Sequence, residues 1–159
     1  MVKYVRAVKD QASTIKQNLP FLCPNVDYLQ KMLADSKAVV FLAKDKDVIV
    51  GVAGGWLNGT PSGYDAEDEF LKEHVAYNEA HLDWIAVKEE YRVKGIGSIF
   101  IEKICGWARE QGKKKIWVEV SRKKSDLEAV SFYKNHGFKE IGTFRDQNGE
   151  EYATMLKQL

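Results

Sequence analysis

The chain reads as an α/β protein built on one mixed β-sheet with helices on its faces. Two patterns predict this. Strand-like and helix-like segments follow in the order β-α-α-β-β-β-α-β-α-β-β, about seven strands and about four helices. Paired strands joined by short turns lie towards both ends, with βα units between them, and that combination gives a mixed sheet covered by helices.

Each element has its own signal. Val2 to Val8 alternates apolar and polar residues, as a strand does. Gln11 to Asn18 and Asp27 to Asp35 read as helices separated by Pro20 and Pro24. Ala38 to Ala43 and Val48 to Ala53 are apolar runs joined by Lys44-Asp45-Lys46-Asp47, a hairpin signature. His81 to Val87 is the next strand. Ile96, Phe100, Ile104 and Trp107 recur at helical spacing up to Gly112, a suitable cap. Lys115 to Val120 reads as a buried strand, and Asp126 to Asn135 as a short helix capped by Ser125. Phe138 to Arg145 and Tyr152 to Leu156 form a last hairpin around Gln147-Asn148-Gly149.

A length of 159 residues with 45% hydrophobic content fits one domain, residues 1–159. The net charge of +1 gives no argument for nucleic-acid or membrane binding. No apolar run reaches the length of a membrane span, and Met1 to Arg6 lacks the apolar core of a secretory signal. Cys23 and Cys105 are too few for a disulfide framework, so a cytoplasmic location is expected, with Cys105 a buried thiol. Scattered histidines and cysteines show no metal-ligand spacing, so no metal is expected. Exposed strand edges suit a monomer or a homodimer.

The most chemical stretch is Tyr91-Arg92-Val93-Lys94-Gly95-Ile96-Gly97-Ser98, between a strand and a helix. Glycines that take positive φ let successive N–H groups converge, and a helix N-terminus adds partial positive charge. A pyrophosphate suits such a cradle, with Arg92 and Lys94 beside it. The dinucleotide fingerprint needs a small residue where Phe100 stands. The Walker pattern needs Gly-Lys-Ser/Thr where Gly97-Ser98-Ile99 stands. A tight turn with no ligand is the bland alternative.

A second segment, Ala129-Val130-Ser131-Phe132-Tyr133-Lys134-Asn135-His136-Gly137-Phe138, stands at a fixed distance downstream. Together the two resemble the GNAT superfamily of acetyl-CoA-dependent N-acyltransferases, most closely over residues 80–145. The resemblance implies the GNAT fold, in which the strands before and after the central helix splay apart to take the pantetheine arm. It implies acetyl-CoA as donor, CoA as product, and a small amine or peptide amine as acceptor. It places the CoA pyrophosphate on Arg92, Val93, Lys94, Gly95, Ile96, Gly97 and Ser98. The pantetheine would pair with the strand backbone at Ile85, Ala86 and Val87, where a bulge often frees an N–H for the oxyanion.

Acyl transfer to an amine also needs a base, because an alkyl ammonium arrives protonated at neutral pH. His81 matches the position that carries a base in several family members. Asp83 shares its strand face, and Glu119 sits mid-strand between Val118 and Val120, with Glu79 a further candidate. A surface histidine and a solvent-facing Glu119, or one paired with Lys115, are the bland alternatives. Tyr133 matches the family tyrosine that hydrogen-bonds or protonates the leaving sulfur; a core tyrosine is its alternative. Asp126 stands where the family often has asparagine, which puts one cofactor contact in doubt.

Asn58 to Glu79 is a long acidic connection, bearing Asp65, Glu67, Asp68, Glu69 and Glu73. It reads as a solvated loop or as a lid that attracts a cationic acceptor. Arg92, Lys94, Arg122, Lys123 and Lys124 supply the opposite sign for CoA phosphates. The expected activity is direct acetyl transfer in a ternary complex. The alternatives are a CoA-binding module without turnover and a nucleotide-binding regulator.

Overall fold

The computed structural model describes residues 1–22, 24–58, 79–123, 127–146 and 148–159. Seven strands are hydrogen-bonded in the order β1-β2-β3-β4-β5-β7-β6. They are β1 Val2–Arg6, β2 Ala38–Asp45, β3 Val48–Trp56, β4 Ala80–Val87, β5 Lys115–Ser121, β6 Lys139–Arg145 and β7 Glu151–Gln158. The helices are α1 Ala12–Asn18, α2 Val26–Ala34, α3 Ile96–Glu110 and α4 Leu127–Asn135. The expected mixed sheet with four helices is present. The acidic connection, Ser125 and Asp126 lie outside the described residues, apart from its ends at Asn58 and Glu79.

Two compact units divide the chain: Met1–Trp56 with Trp84–Ile104, and Leu57–Asp83 with Cys105–Leu159. Strand β4 and helix α3 contribute to both.

In the first unit β1, β2 and β3 form an antiparallel meander. Ile15, Leu19, Leu29 and Met32 are spaced to put one face of α1 and of α2 onto Val40, Leu42 and Val52 of the sheet. Pro20 and Pro24 separate these two helices, and the Asn25 side chain starts α2 by accepting the Tyr28 N–H at 2.8 Å. The Asn18 amide oxygen accepts the Ile49 N–H at 3.2 Å and so ties the end of α1 to β3. The other face of this sheet carries Tyr4, which meets Phe100 of α3 edge-to-face at 5.8 Å.

In the second unit β5 pairs antiparallel with β7, and β7 with β6. Ile116, Val118 and Val120 alternate with Trp117, Glu119 and Ser121, so the two sets take opposite faces. Gly137, at φ +84°, ends α4, with the Phe138 N–H returning to the Tyr133 carbonyl at 3.1 Å. β4 runs parallel to β5 for two residue pairs only, Ala80↔Ile116 and His81↔Trp117.

Candidate active site

The first unit holds the candidate anion cradle, the turn from Arg92 to Ser98. A short 3-10 turn, Glu89–Tyr91, leaves β4 and delivers Arg92 in extended conformation. Val93 is then left-handed at φ 54°, and Gly95 at φ 80°. Gly95 carbonyl oxygen accepts the Ile99 N–H at 3.1 Å, so α3 starts there. Its leading N–H groups, Ile96 and Gly97, have no carbonyl of their own helix to bind. A left-handed residue feeding a helix start is a concave array of donors suited to phosphate oxygens.

The two-glycine expectation needs one correction. Gly95 has positive φ, whereas Gly97 lies inside α3 without it. The second left-handed residue is Val93, a β-branched residue in a region that suits glycine. The head of α3 is seated closely on β3: a Cβ on Gly51 would lie 3.1 Å from the Phe100 ring and 3.3 Å from Ile96. Arg92 and Lys94 are exposed. The Arg92 guanidinium donates to the Val87 carbonyl at 3.3 Å, which turns it back towards the end of β4. Ile85, Ala86 and Val87 are the half-buried residues that lead into the cradle.

The second unit holds the candidate bases and Tyr133. His81 is buried, 3% exposed. Its imidazole stacks on the Trp117 indole at 3.9 Å between centroids. That contact puts His81 on the Trp117–Glu119 face of the sheet, and alternation along β4 puts Asp83 there too. Glu119 is half-buried, directly opposite Thr154 of β7 in the register. Thr154 is fully buried, and its hydroxyl has no hydrogen-bond partner among the described residues. The structure therefore brings His81, Asp83, Glu119 and Thr154 to one face. Glu79 pairs with Lys115 at 3.4 Å, so Lys115 is engaged by Glu79.

Tyr133 projects from α4 and is buried, wedged edge-to-face between Phe132 at 5.3 Å and Phe138 at 5.4 Å. Burial pushes its phenol far above the ordinary value, so it is a proton carrier that stays protonated. Of the basic residues expected to meet phosphates, Arg122 is paired with Glu140 and Glu151, and Lys123 with Glu150 at 2.5 Å. Their charge is balanced within the β6–β7 hairpin. Lys124 and Asp126 fall outside the described residues. Among the described residues no cluster could hold a metal, and no helix is long and apolar enough to cross a membrane.

Three residues with notable contacts escaped the sequence reading. Trp117 looked like an ordinary strand residue, because its meeting with His81 depends on a parallel register. Thr154 likewise depends on the β5–β7 pairing. Tyr91 was read only as part of the turn.

Comparison with known proteins gives the family and the fold. Residues 9–138 match the family model described as "Acetyltransferase (GNAT) family". An uncharacterized N-acetyltransferase of Methanocaldococcus jannaschii is 33% identical over 87 residues, 53% of this chain and 37% of that protein. The chain thus spans well under half of that relative. The structure of Arabidopsis thaliana NAA60 in complex with acetyl-CoA is similar with a TM-score of 0.77 at 12% identity, covering 100% of this chain and 99% of the other. The ribosomal-protein-S18-alanine N-acetyltransferase of Escherichia coli gives 0.74 at 16% identity, covering 99% and 94%. At such identities the two structures testify to the fold.

Proposed function

The chain belongs to the acetyltransferase (GNAT) family, and from that premise we propose that it is an acetyl-CoA-dependent N-acetyltransferase acting on a primary amine by direct attack. The observation that carries the proposal is the turn in which left-handed Gly95 delivers the chain into the N-terminus of α3. The backbone of Arg92 to Ser98 holds the CoA pyrophosphate there. The family match runs through both compact units, which supports reading residues 1–159 as one domain.

The amine reaches the enzyme as an ammonium and must lose a proton before its lone pair can attack. His81 takes that proton, held in orientation by the Trp117 ring, with Glu119 and Asp83 on the same face as alternates. The nitrogen bonds to the acetyl carbon, and a backbone N–H of Ile85 to Val87 stabilises the oxyanion. The carbon–sulfur bond then breaks, and Tyr133 donates its hydrogen bond or proton to the sulfur. Cys105 is buried with its thiol pushed up chiefly by burial, which makes it a poor acyl carrier. A buried free thiol fits a reducing compartment, the cytoplasm.

The test is release of free thiol from acetyl-CoA across a panel of polyamines, aminoglycosides and peptides with free N-termini. Amine-dependent release with a matching acetylated product supports the proposal. Tight CoA binding with no release across the panel selects the binding module without turnover.

A further inference from the structure

Tyr91 stands directly before the cradle, and its hydroxyl donates to Asp45 Oδ2 at 2.8 Å, across 46 positions of sequence. Asp45 ends β2, where it faces Val2 of β1 and Val48 of β3. It is therefore fixed to three strands. The same short segment is bonded at its backbone: Lys88 N–H to the Val50 carbonyl at 2.9 Å, Tyr91 N–H to Lys88 at 2.9 Å and Arg92 N–H to Glu89 at 3.0 Å. Two residues on, Val93 sits in a left-handed conformation that a β-branched residue adopts only under constraint. Such conformations persist where surrounding bonds over-determine them. The Tyr91 side chain ties this segment to the distant strand β2.

The ring of Tyr91 has a second contact. Lys94 Nζ lies 4.8 Å from its centroid. A phenol that donates to a carboxylate gains electron density in its ring, which strengthens attraction for a cation over the face. The bond to Asp45 also raises the Tyr91 phenol above its ordinary value, so the donor stays protonated at working pH. Asp45, Tyr91 and Lys94 thus form a chain of carboxylate, phenol and ammonium ending beside Gly95.

We propose that the Asp45–Tyr91 pair is a positioning device for the anion cradle: it holds the Val93 to Gly95 turn in its ligand-ready shape and keeps the Lys94 ammonium at the rim, and so sets affinity for the CoA pyrophosphate. The pair touches no reacting atom. This inference rests on the acetyltransferase reading and deepens it.

The test is calorimetric titration with CoA of the full chain and of Y91F, D45A, D45N and the Y91F/D45A double variant, together with steady-state kinetics in acetyl-CoA. Y91F and D45A each weaken CoA about three- to tenfold. The double variant is no weaker than the weaker-binding single, because both remove one contact. D45N keeps an acceptor oxygen and binds within about twofold of wild type. KM for acetyl-CoA rises in step while kcat at saturation holds, a split that general loss of folding does not produce. Wild-type affinity in Y91F, additive losses in the double variant, or a fall in kcat with KM unchanged overturns the inference. Y91F removes one oxygen of a half-buried side chain and stays informative even if D45A folds poorly. A wild-type protein that does not bind CoA removes the acetyltransferase reading as well, whereas binding that all four variants retain removes only the positioning role.

Discussion

The His81 imidazole lies nearly parallel to the Trp117 indole, 21° between planes and 3.9 Å between centroids. The two residues are also directly paired in the parallel β4–β5 register. A base held by stacking has its ring plane fixed while both nitrogens stay at the edge, where protons are exchanged. His81→Gln is expected to lower kcat about a hundredfold, as for loss of a general base, with acetyl-CoA affinity unchanged. Single-turnover kinetics check it. An unaltered rate moves the base to Glu119 or Asp83, and Glu119→Gln is the next variant. Trp117→Phe keeps a stacking face and is expected to retain most of the rate.

Tyr133→Phe is expected to lower kcat while leaving CoA affinity near wild type, since the ring packing against Phe132 and Phe138 survives. An equal kcat in steady-state assays removes the acid role.

The same tyrosine has a consequence for alkaline stability. Burial raises its folded-state phenol far above the value of 10.0. Above about pH 10 the unfolded chain has released this proton while the folded chain keeps it, so the unfolded state binds fewer protons and stability falls as pH rises. Tyr152 adds to the trend, pushed up to about 12 first by burial and then by its hydrogen bond to Glu150. Denaturant unfolding between pH 8 and 11 is expected to show this decline, and Tyr133→Phe to make it shallower. Below pH 10 neither group contributes a slope.

The backbone of the cradle can be tested apart from its ligand. Val93→Asn places a residue tolerant of left-handed φ where valine is strained, and is expected to raise stability by ~0.5–1 kcal/mol. Gly95→Ala meets nothing within 4 Å, yet is held at φ +80°. It is expected to lower stability by ~1–2 kcal/mol from the backbone alone and to weaken CoA binding. Urea midpoints at constant m-value separate these effects from changes in the unfolded state.

Gly54 shows how tightly β3 and β4 approach in the first unit. A Cβ there would sit 2.5, 2.8 and 2.9 Å from three atoms of the Trp84 indole. Gly54→Ala is expected to destabilise by ~1–3 kcal/mol through overpacking. Gly106, helical and with nothing within 4 Å of an added Cβ, is the contrast. Gly106→Ala is expected to be neutral or to stabilise by up to ~1 kcal/mol. Equal effects of the two in thermal unfolding would contradict this packing.

Local pattern was enough for most of the fold. Helical spacing of Ile96, Phe100, Ile104 and Trp107 marked the buried face of α3, and all four are buried. Gly137 ends α4 with the positive φ expected of a cap. The local shape of the candidate site was legible: Arg92 to Ser98 forms a turn into a helix. Which residue takes positive φ was misjudged: Val93 takes it and Gly97, inside α3, does not, a choice that local residue preference does not reveal. The burial of His81 was also invisible, since a histidine near a strand end gains its partner only from β5. The carboxylate partners of Arg122 and Lys123, Glu140, Glu150 and Glu151, were not legible because they come from the β6–β7 hairpin, distant in sequence.

The central claim is that the turn from Arg92 to Ser98 holds CoA. Calorimetric titration of the protein with acetyl-CoA and CoA, beside ATP and NAD, tests it most directly. Selective micromolar binding of the CoA species, about −8 kcal/mol, is the predicted result. Binding of ATP or NAD in place of CoA, or of none of them, would contradict the account and the mechanism built on it.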